Sequence, residues 1–325
     1  VIRAIRHRRE ALLFGGMNRA ATYLIIFIVA CVPSACSSEQ AAFDPATYEA
    51  EIAEWRAGRL ERLKGRTGFL NLVGLFWLET ESSRIGSGAN NDIVFPVAAA
   101  ASVGVLRTSD DGVMLDVEPG VDVRHGNETV TSILIADDTT EAPVTVTHGT
   151  LAWTIIKRDG RYALRLRDYA HPAIASFPPI ESYPIDPSFR VEAELRPFAE
   201  PKIMDVNTTI EGIGYHPRSP GKLAFEFEGA TYELEAYESG NELFLVFADL
   251  TSGRETYPAG RFLYAAAPDE SGKTVLDFNR AYNPPCAFND FATCPVASPR
   301  NRLAVRIEAG EKFDPKVHVP VNKSY

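Results

Sequence analysis

Near the start of the chain, apolar residues recur at helical spacing. Asp44 followed by Pro45 supplies an N-cap and a first-turn proline, and Ile52, Trp55, Leu60 and Leu63 then repeat with a helical period. This predicts one amphipathic helix ending at Gly65. Beyond it the period changes to two. LNLVGLFWL, NDIVFP, GVLRT, GVMLDV, TSILIA, VTVTHG, LAWTIIKR and YALRLRD are short, β-rich and separated by Gly, Asp, Asn or Pro, the signature of a sandwich or barrel. Residues 169–190 carry five prolines, a density that interrupts regular structure and marks a junction. Alternation resumes in RVEAEL, KIMDVNT, KLAFEFEG, TYELEAY, ELFLVFAD, RFLYAA, TVLDFN and LAVRIEAG. The expected fold is therefore mainly β: an N-terminal helix, then two antiparallel β domains, a sandwich followed by a sandwich or barrel. The expected organisation is an upstream extension and signal at 1–35, a spacer and helix at 36–65, an N-terminal sandwich at 66–168, a junction at 169–190 and a C-terminal β domain at 191–325.

The first residues change the picture of where the protein resides. After Met17, a lone Arg19, an apolar run from Leu24 to Val32 and small residues before a cysteine read as a lipoprotein export signal. About ten apolar residues fall short of the roughly twenty that a helix needs to cross a bilayer. Cys31 and Cys36 both follow small residues. Cleavage before Cys36 leaves Cys286 and Cys294 as an even pair, which favours Cys36 as the lipidated residue. The expected location is the bacterial cell envelope, facing the periplasm or the surface, with the membrane reached through the N-terminal lipid only. Without residues 1–35 the chain has 28 basic against 42 acidic residues, a net charge of −14. That balance argues against nucleic acid, whose binding needs clustered Lys and Arg, and against a polybasic grip on anionic lipid.

Candidate chemistry concentrates in DFNRAYNPPCAFNDFATCP, residues 277–295. Cys286 and Cys294 are spaced to close a short disulfide loop, worth about 2 to 3 kcal/mol on the chain-entropy model, and an exported protein permits the oxidation. No CxxC is present and the six histidines are scattered, so no metal site is expected. A catalytic cysteine would need a neighbouring cation, and Arg280 and Arg300 are the local ones. Pro284, Pro285 and Pro295 stiffen the loop, and Asp277, Asn279, Tyr282 and Asn283 enter it while Asn301 leaves it. These polar groups are candidates for a small polar or anionic ligand, although Asn283 before Pro284 also suits a turn cap. Arg261 offers a fork either to Asp277 or Glu255 as a bridge or to an anionic ligand. Arg165 and Arg167 share one strand face, which either lines the junction or is a solvated strand face. Glu255 with Asp277 forms a candidate acid and base pair for an envelope hydrolase. A structural or interaction protein with a stapled loop is the third reading. No GxSxG, HExxH, P-loop or dinucleotide fingerprint occurs, and no cofactor is expected.

Two resemblances follow from longer stretches. IGSGANNDIVFP with Arg124-His125-Gly126-Asn127 resembles the opening of a forkhead-associated (FHA) sandwich. Ser87 stands where such modules place an arginine, so the pattern implies a structural sandwich rather than a phosphopeptide reader. GFLNLVGLFWLE, RYALRLRD, FADLTSGRETYPAGRFL, DFNRAYNPPCAFNDFATCP and NRLAVRIEAGEK together resemble the domain-of-unknown-function 1684 family from Trp55 to Lys312. That resemblance implies no established activity.

Overall fold

The computed structural model describes residues 44–318. The expectations for Cys31, Cys36 and the export signal fall outside the described residues, among which no helix is long and apolar enough to cross a membrane.

Helix α1 (Pro45–Lys64) starts as its sequence dictates. The Asp44 carboxylate accepts from the Ala46 and Thr47 amides, Pro45 fills the first turn, and the Gly65 amide closes the last turn on the Glu61 carbonyl. Its buried face is Tyr48, Ile52, Arg59 and Leu63. An arginine thus sits in the stripe that the apolar pattern assigned to Leu, Ile and Trp, and Leu60 is only partly buried.

The following segment forms two sheets. In one, strands Leu72–Trp77, Arg161–Asp168, Leu151–Arg158, Thr145–His148, Arg124–His125 and Glu128–Thr129 lie side by side in that order. In the other, the order is Ile93–Val94, Ser82–Gly86, Gly104–Ser109, Gly112–Val117 and Ser132–Ile135. Their facing residues make one core: Ile85, Phe95, Leu106 and Leu115 from the second sheet meet Val146, Trp153, Ile155 and Leu164 from the first. The Phe95 and Trp153 rings meet edge to face at 5.3 Å, as ring quadrupoles prefer.

The proline-rich stretch is mostly irregular, yet it holds a short helix at Pro172–Ser176. Pro172 occupies the first turn, where its missing N–H costs nothing. Beyond it a six-stranded sheet runs Arg261–Ala266, Glu242–Phe247, Ala230–Ser239, Arg218–Phe227, Arg190–Ile203, Lys273–Asp277. This sheet is nearly barrel-shaped around a core that includes Leu223, Phe225, Leu234, Leu245, Leu263 and Phe278.

One expected strand is absent. In LAVRIEAG, Leu303, Val305, Ile307 and Ala309 are buried alternately as a strand requires, but residues 303–310 form no strand. The carbonyls of Ile307 and Ala309 accept instead from the Arg261 guanidinium. A side chain has taken the acceptors that a neighbouring strand would need. The strand at TVLDFN also stops early, at Asp277, because that carboxylate caps the turn Phe278–Arg280 through the Asn279 amide at 3.1 Å.

Candidate functional site

The polar residues singled out in the last third of the chain are, with one exception, committed to the fold. Arg261 is fully buried. It pairs with Asp249 at 2.6 Å, donates to the Ile307 carbonyl at 2.9 Å, and donates to the Ala309 carbonyl as well. Burial lowers its pKa and the Asp249 carboxylate opposes that shift. The bridge is real, but its partner is Asp249 rather than Asp277 or Glu255. Asn301 is equally enclosed: its Oδ1 accepts from the Glu235 amide at 2.8 Å and its Nδ2 donates to the Glu235 and Val246 carbonyls at 2.9 and 3.0 Å.

Asp277 and Asn279 do lie on one side, with Phe278 in the core, but they clamp helix α1. Tyr48 Oη donates to Asp277 Oδ1 at 2.8 Å and accepts from Asn279 Nδ2 at 2.9 Å. Asn279 also exchanges hydrogen bonds with the backbone of Asp186 at 3.1 and 2.8 Å. Burial first, and then the Asp277 carboxylate, push the Tyr48 hydroxyl pKa up. Glu255 is occupied elsewhere, by Arg306 at 2.5 Å and by the Tyr183 hydroxyl at 2.6 Å. Those two contacts hold its pKa below the ordinary glutamate value. Glu255 and Asp277 share no partner, so the structure does not assemble them into an acid and base pair. Arg167 donates to Asn71 Oδ1 at 2.7 Å and to the Gly68 carbonyl, fixing the loop after α1. The side chain of Arg165 beside it has no hydrogen bond or ion pair among the described residues, and its pKa falls to about 10 chiefly through burial.

Cys286 and Cys294 are both buried and free, so the expected disulfide is not shown. They are immediate neighbours, with the Cys286 amide 3.1 Å from Cys294 Sγ. The Cys294 thiol pKa is raised, first by burial and then by hydrogen bonding to Cys286, while that same contact lowers the Cys286 pKa. Among the described residues, no group of three His, Cys, Asp or Glu side chains is placed to hold a metal.

The exception is Tyr282, which lies in the wall of a cleft of about 620 Å³ between α1 and the outer face of the C-terminal sheet. The floor follows from strand alternation. Glu242 and Phe244 point to one side of their strand, as do Phe262 and Tyr264 of the next, and Phe244 stands opposite Tyr264. Tyr282 extends the floor by pairing its backbone with Phe262. The rings pack closely: Phe244 lies 4.9 Å from Phe262 and 5.0 Å from Tyr264, and Tyr264 stacks on Tyr282 at 6.5 Å. Helix α1 supplies the roof. Trp55, Arg59, Arg62 and Leu63 line it, spaced so that one helical face presents them all.

Three arginines line this cleft, and their partners distinguish them. Arg59 lies 4.7 Å over the Tyr282 ring, donates to the Asn283 carbonyl at 2.9 Å and pairs with Glu311 at 3.4 Å. Arg280 pairs with Asp277 at 3.4 Å and more loosely with Glu51 at 3.9 Å. Arg62 is exposed and has no hydrogen bond or ion pair among the described residues. Behind Arg59, Glu311 is fully enclosed, and burial raises its pKa against the opposing pull of Arg59 and the Asn283 amide. Asn283 serves this support: its amide donates to Glu311 at 2.7 Å and its Nδ2 to the Lys312 carbonyl at 2.7 Å. It is a positioning residue more than a turn cap, and it lines a separate, smaller cavity of about 170 Å³.

The loop 277–295 contributes Arg280, Tyr282 and Pro285 to the cleft, whereas its helical roof and most of its aromatic floor come from residues that the sequence did not single out as candidates. The legible signal was in α1, where arginines at 59 and 62 follow Trp55 at spacings of four and seven residues. Charges inside an otherwise apolar stripe indicate a helix face that meets something polar.

Residues 175–312 match the model of the family described as "Protein of unknown function (DUF1684)". The motifs GFLNLVGLFWLE and RYALRLRD, N-terminal to residue 175, lie outside the matched region. No curated protein matches the chain. A solution NMR structure of an uncharacterized protein from Haloarcula marismortui is similar at 28% identity, covering 43% of this chain and 79% of its own, with a TM-score of 0.37.

Proposed function

Taking residues 175–312 as a domain of the DUF1684 family, we propose that the chain is a cell-envelope lipoprotein that binds a small organic anion in the cleft beneath helix α1. Arg62 carries this reading. It is a cation without an acidic partner among the described residues, facing an aromatic floor in a cavity of about 620 Å³. That volume suits a small molecule. Arginine presents a planar fork that matches a carboxylate. The rings supply apolar area for the rest of the ligand. Acylation at Cys36 tethers the protein to the membrane, and oxidation in the envelope joins Cys286 to Cys294. The Glu255 and Asp277 acids support no hydrolytic reading, since each is held by separate structural partners.

Isothermal titration with 2-naphthoate, 2-naphthol and 2-naphthylmethylamine, an ammonium at neutral pH, tests the proposal. A charge-assisted hydrogen bond contributes about 1.5 to 3 kcal/mol, so the carboxylate should bind at least about tenfold tighter than its neutral and cationic analogues. Arg62→Ala should erase that preference. Equal affinity for all three compounds, or a preference unchanged in Arg62→Ala, contradicts it.

A further inference from the structure

The two ends of the cleft differ in sign. Helix α1 and the segment from Asp277 to Phe288 run side by side in the same direction: Tyr48 meets Asp277 and Asn279, Glu51 meets Arg280, Trp55 meets Tyr282, and Arg59 meets Asn283 and Phe288. The strand Arg261–Ala266 runs the opposite way beside Tyr282, so Tyr264 lies near the level of Arg280. Glu242, paired across to Ala266, falls one step further in the direction of Asp277. Glu242 and Arg62 therefore occupy opposite ends. From the level of Glu51 to that of Arg62 is eleven residues of helix, roughly 16 Å at 1.5 Å per residue.

Of the four charged residues that line the cleft, Arg62 and Glu242 at its ends are the two whose side chains have no ion pair among the described residues. The Glu242 side chain is exposed and, like that of Arg62, makes no hydrogen bond among the described residues. Between them, Arg59 and Arg280 are neutralised by Glu311 and Asp277. The middle of the cleft is thus close to charge-balanced and its floor is aromatic. A compact polyanion such as inorganic phosphate would meet only one free arginine, with an unpaired carboxylate at the far end.

Building on the anion-binding proposal, we infer that the cleft takes an elongated zwitterion, with its carboxylate at Arg62, its cationic group at Glu242 and apolar groups lying over Phe244, Tyr264 and Tyr282. A short peptide with free termini presents this chemistry. Three or four extended residues span roughly 10 to 14 Å at 3.4 Å each, which the reach of the Arg62 and Glu242 side chains completes. In the envelope such a ligand is supplied by the class of reaction that cleaves longer chains, since each cleavage creates one new ammonium and one new carboxylate.

The probe is Ala-Phe-Phe-Ala in four forms: free, N-acetylated, C-amidated and doubly blocked, each titrated calorimetrically beside 2-naphthoate. Blocking either terminus should weaken binding about fivefold or more. The N-acetylation penalty should vanish in Glu242→Gln and the amidation penalty in Arg62→Gln. Both positions are exposed, so the thermal unfolding of each variant should match wild type. If N-acetylation costs nothing while 2-naphthoate still binds through Arg62, the zwitterion inference is overturned and the anion site survives. Binding of 2-naphthoate with no binding of any form of the peptide has the same consequence. If neither amidation nor Arg62→Gln affects any probe, both are overturned.

Discussion

Arg261 and Arg62 are the same residue in opposite circumstances, and burial separates them. Arg261 is fully enclosed and held by one carboxylate and two carbonyls, so a ligand from solvent does not reach it. Removing one member of a buried pair strands the other charge at a cost of about 3 to 5 kcal/mol. Asp249→Ala should therefore show a stability loss of that size in urea unfolding, whereas Arg62→Ala, on the surface, should stay within about 0.5 kcal/mol of wild type. Glu311 gives a second prediction at this scale. Its pKa is raised from the ordinary 4.5, so across that interval the folded chain holds a proton that the unfolded chain has released. Stability then falls as pH rises from 4.5 through the raised folded value. Glu311→Gln removes this titration. Urea midpoints measured from about pH 4.5 to 7 should show wild type losing stability relative to the variant as pH increases; a difference that does not vary with pH, or varies the other way, contradicts the assignment.

Among elements, the segment 303–310 shows where pattern reading succeeds and where it stops. Alternation correctly marked Leu303, Val305, Ile307 and Ala309 as buried, because period two reports only which side chains face a core. It did not report hydrogen-bond partners, and Arg261 from another element supplies them. The strands and helix α1 were legible for the same reason: their periods are local. The cleft was not, because its roof and floor lie roughly two hundred residues apart in sequence and meet only through contacts such as Tyr48 with Asp277. The turn that carries Glu311 back beneath Asn283 depends on Gly310, at φ +77°, where an added Cβ would fall 2.4 Å from the Ala281 carbonyl. Gly310→Ala should destabilise the fold by more than the roughly 1 kcal/mol left-handed backbone penalty, visible as a lowered unfolding midpoint; an unchanged midpoint would mean that this turn does not hold Glu311 in place. The neighbouring thiols belong to this scale as well. Nonreducing mass spectrometry of protein isolated from an oxidising compartment should find Cys286 joined to Cys294, and finding both alkylatable without reduction would refute the staple.

For the molecule as a whole, α1 lies over the segment from Asp277 to Phe288 and the outer face of the C-terminal sheet. The net charge of −14 expected for the mature chain would repel anions at long range, so recognition must come from the local field of Arg62 over the aromatic floor. At physiological ionic strength charges further apart than about 8 Å are largely screened, which leaves that local contact dominant. The most direct test of this account is a crystal soaked with 2-naphthoate. The carboxylate should lie within hydrogen-bonding distance of the Arg62 guanidinium, with the ring system against Tyr264. Density for the compound elsewhere, or Arg62 paired with one of the protein's own carboxylates and the cleft holding only solvent, would contradict it.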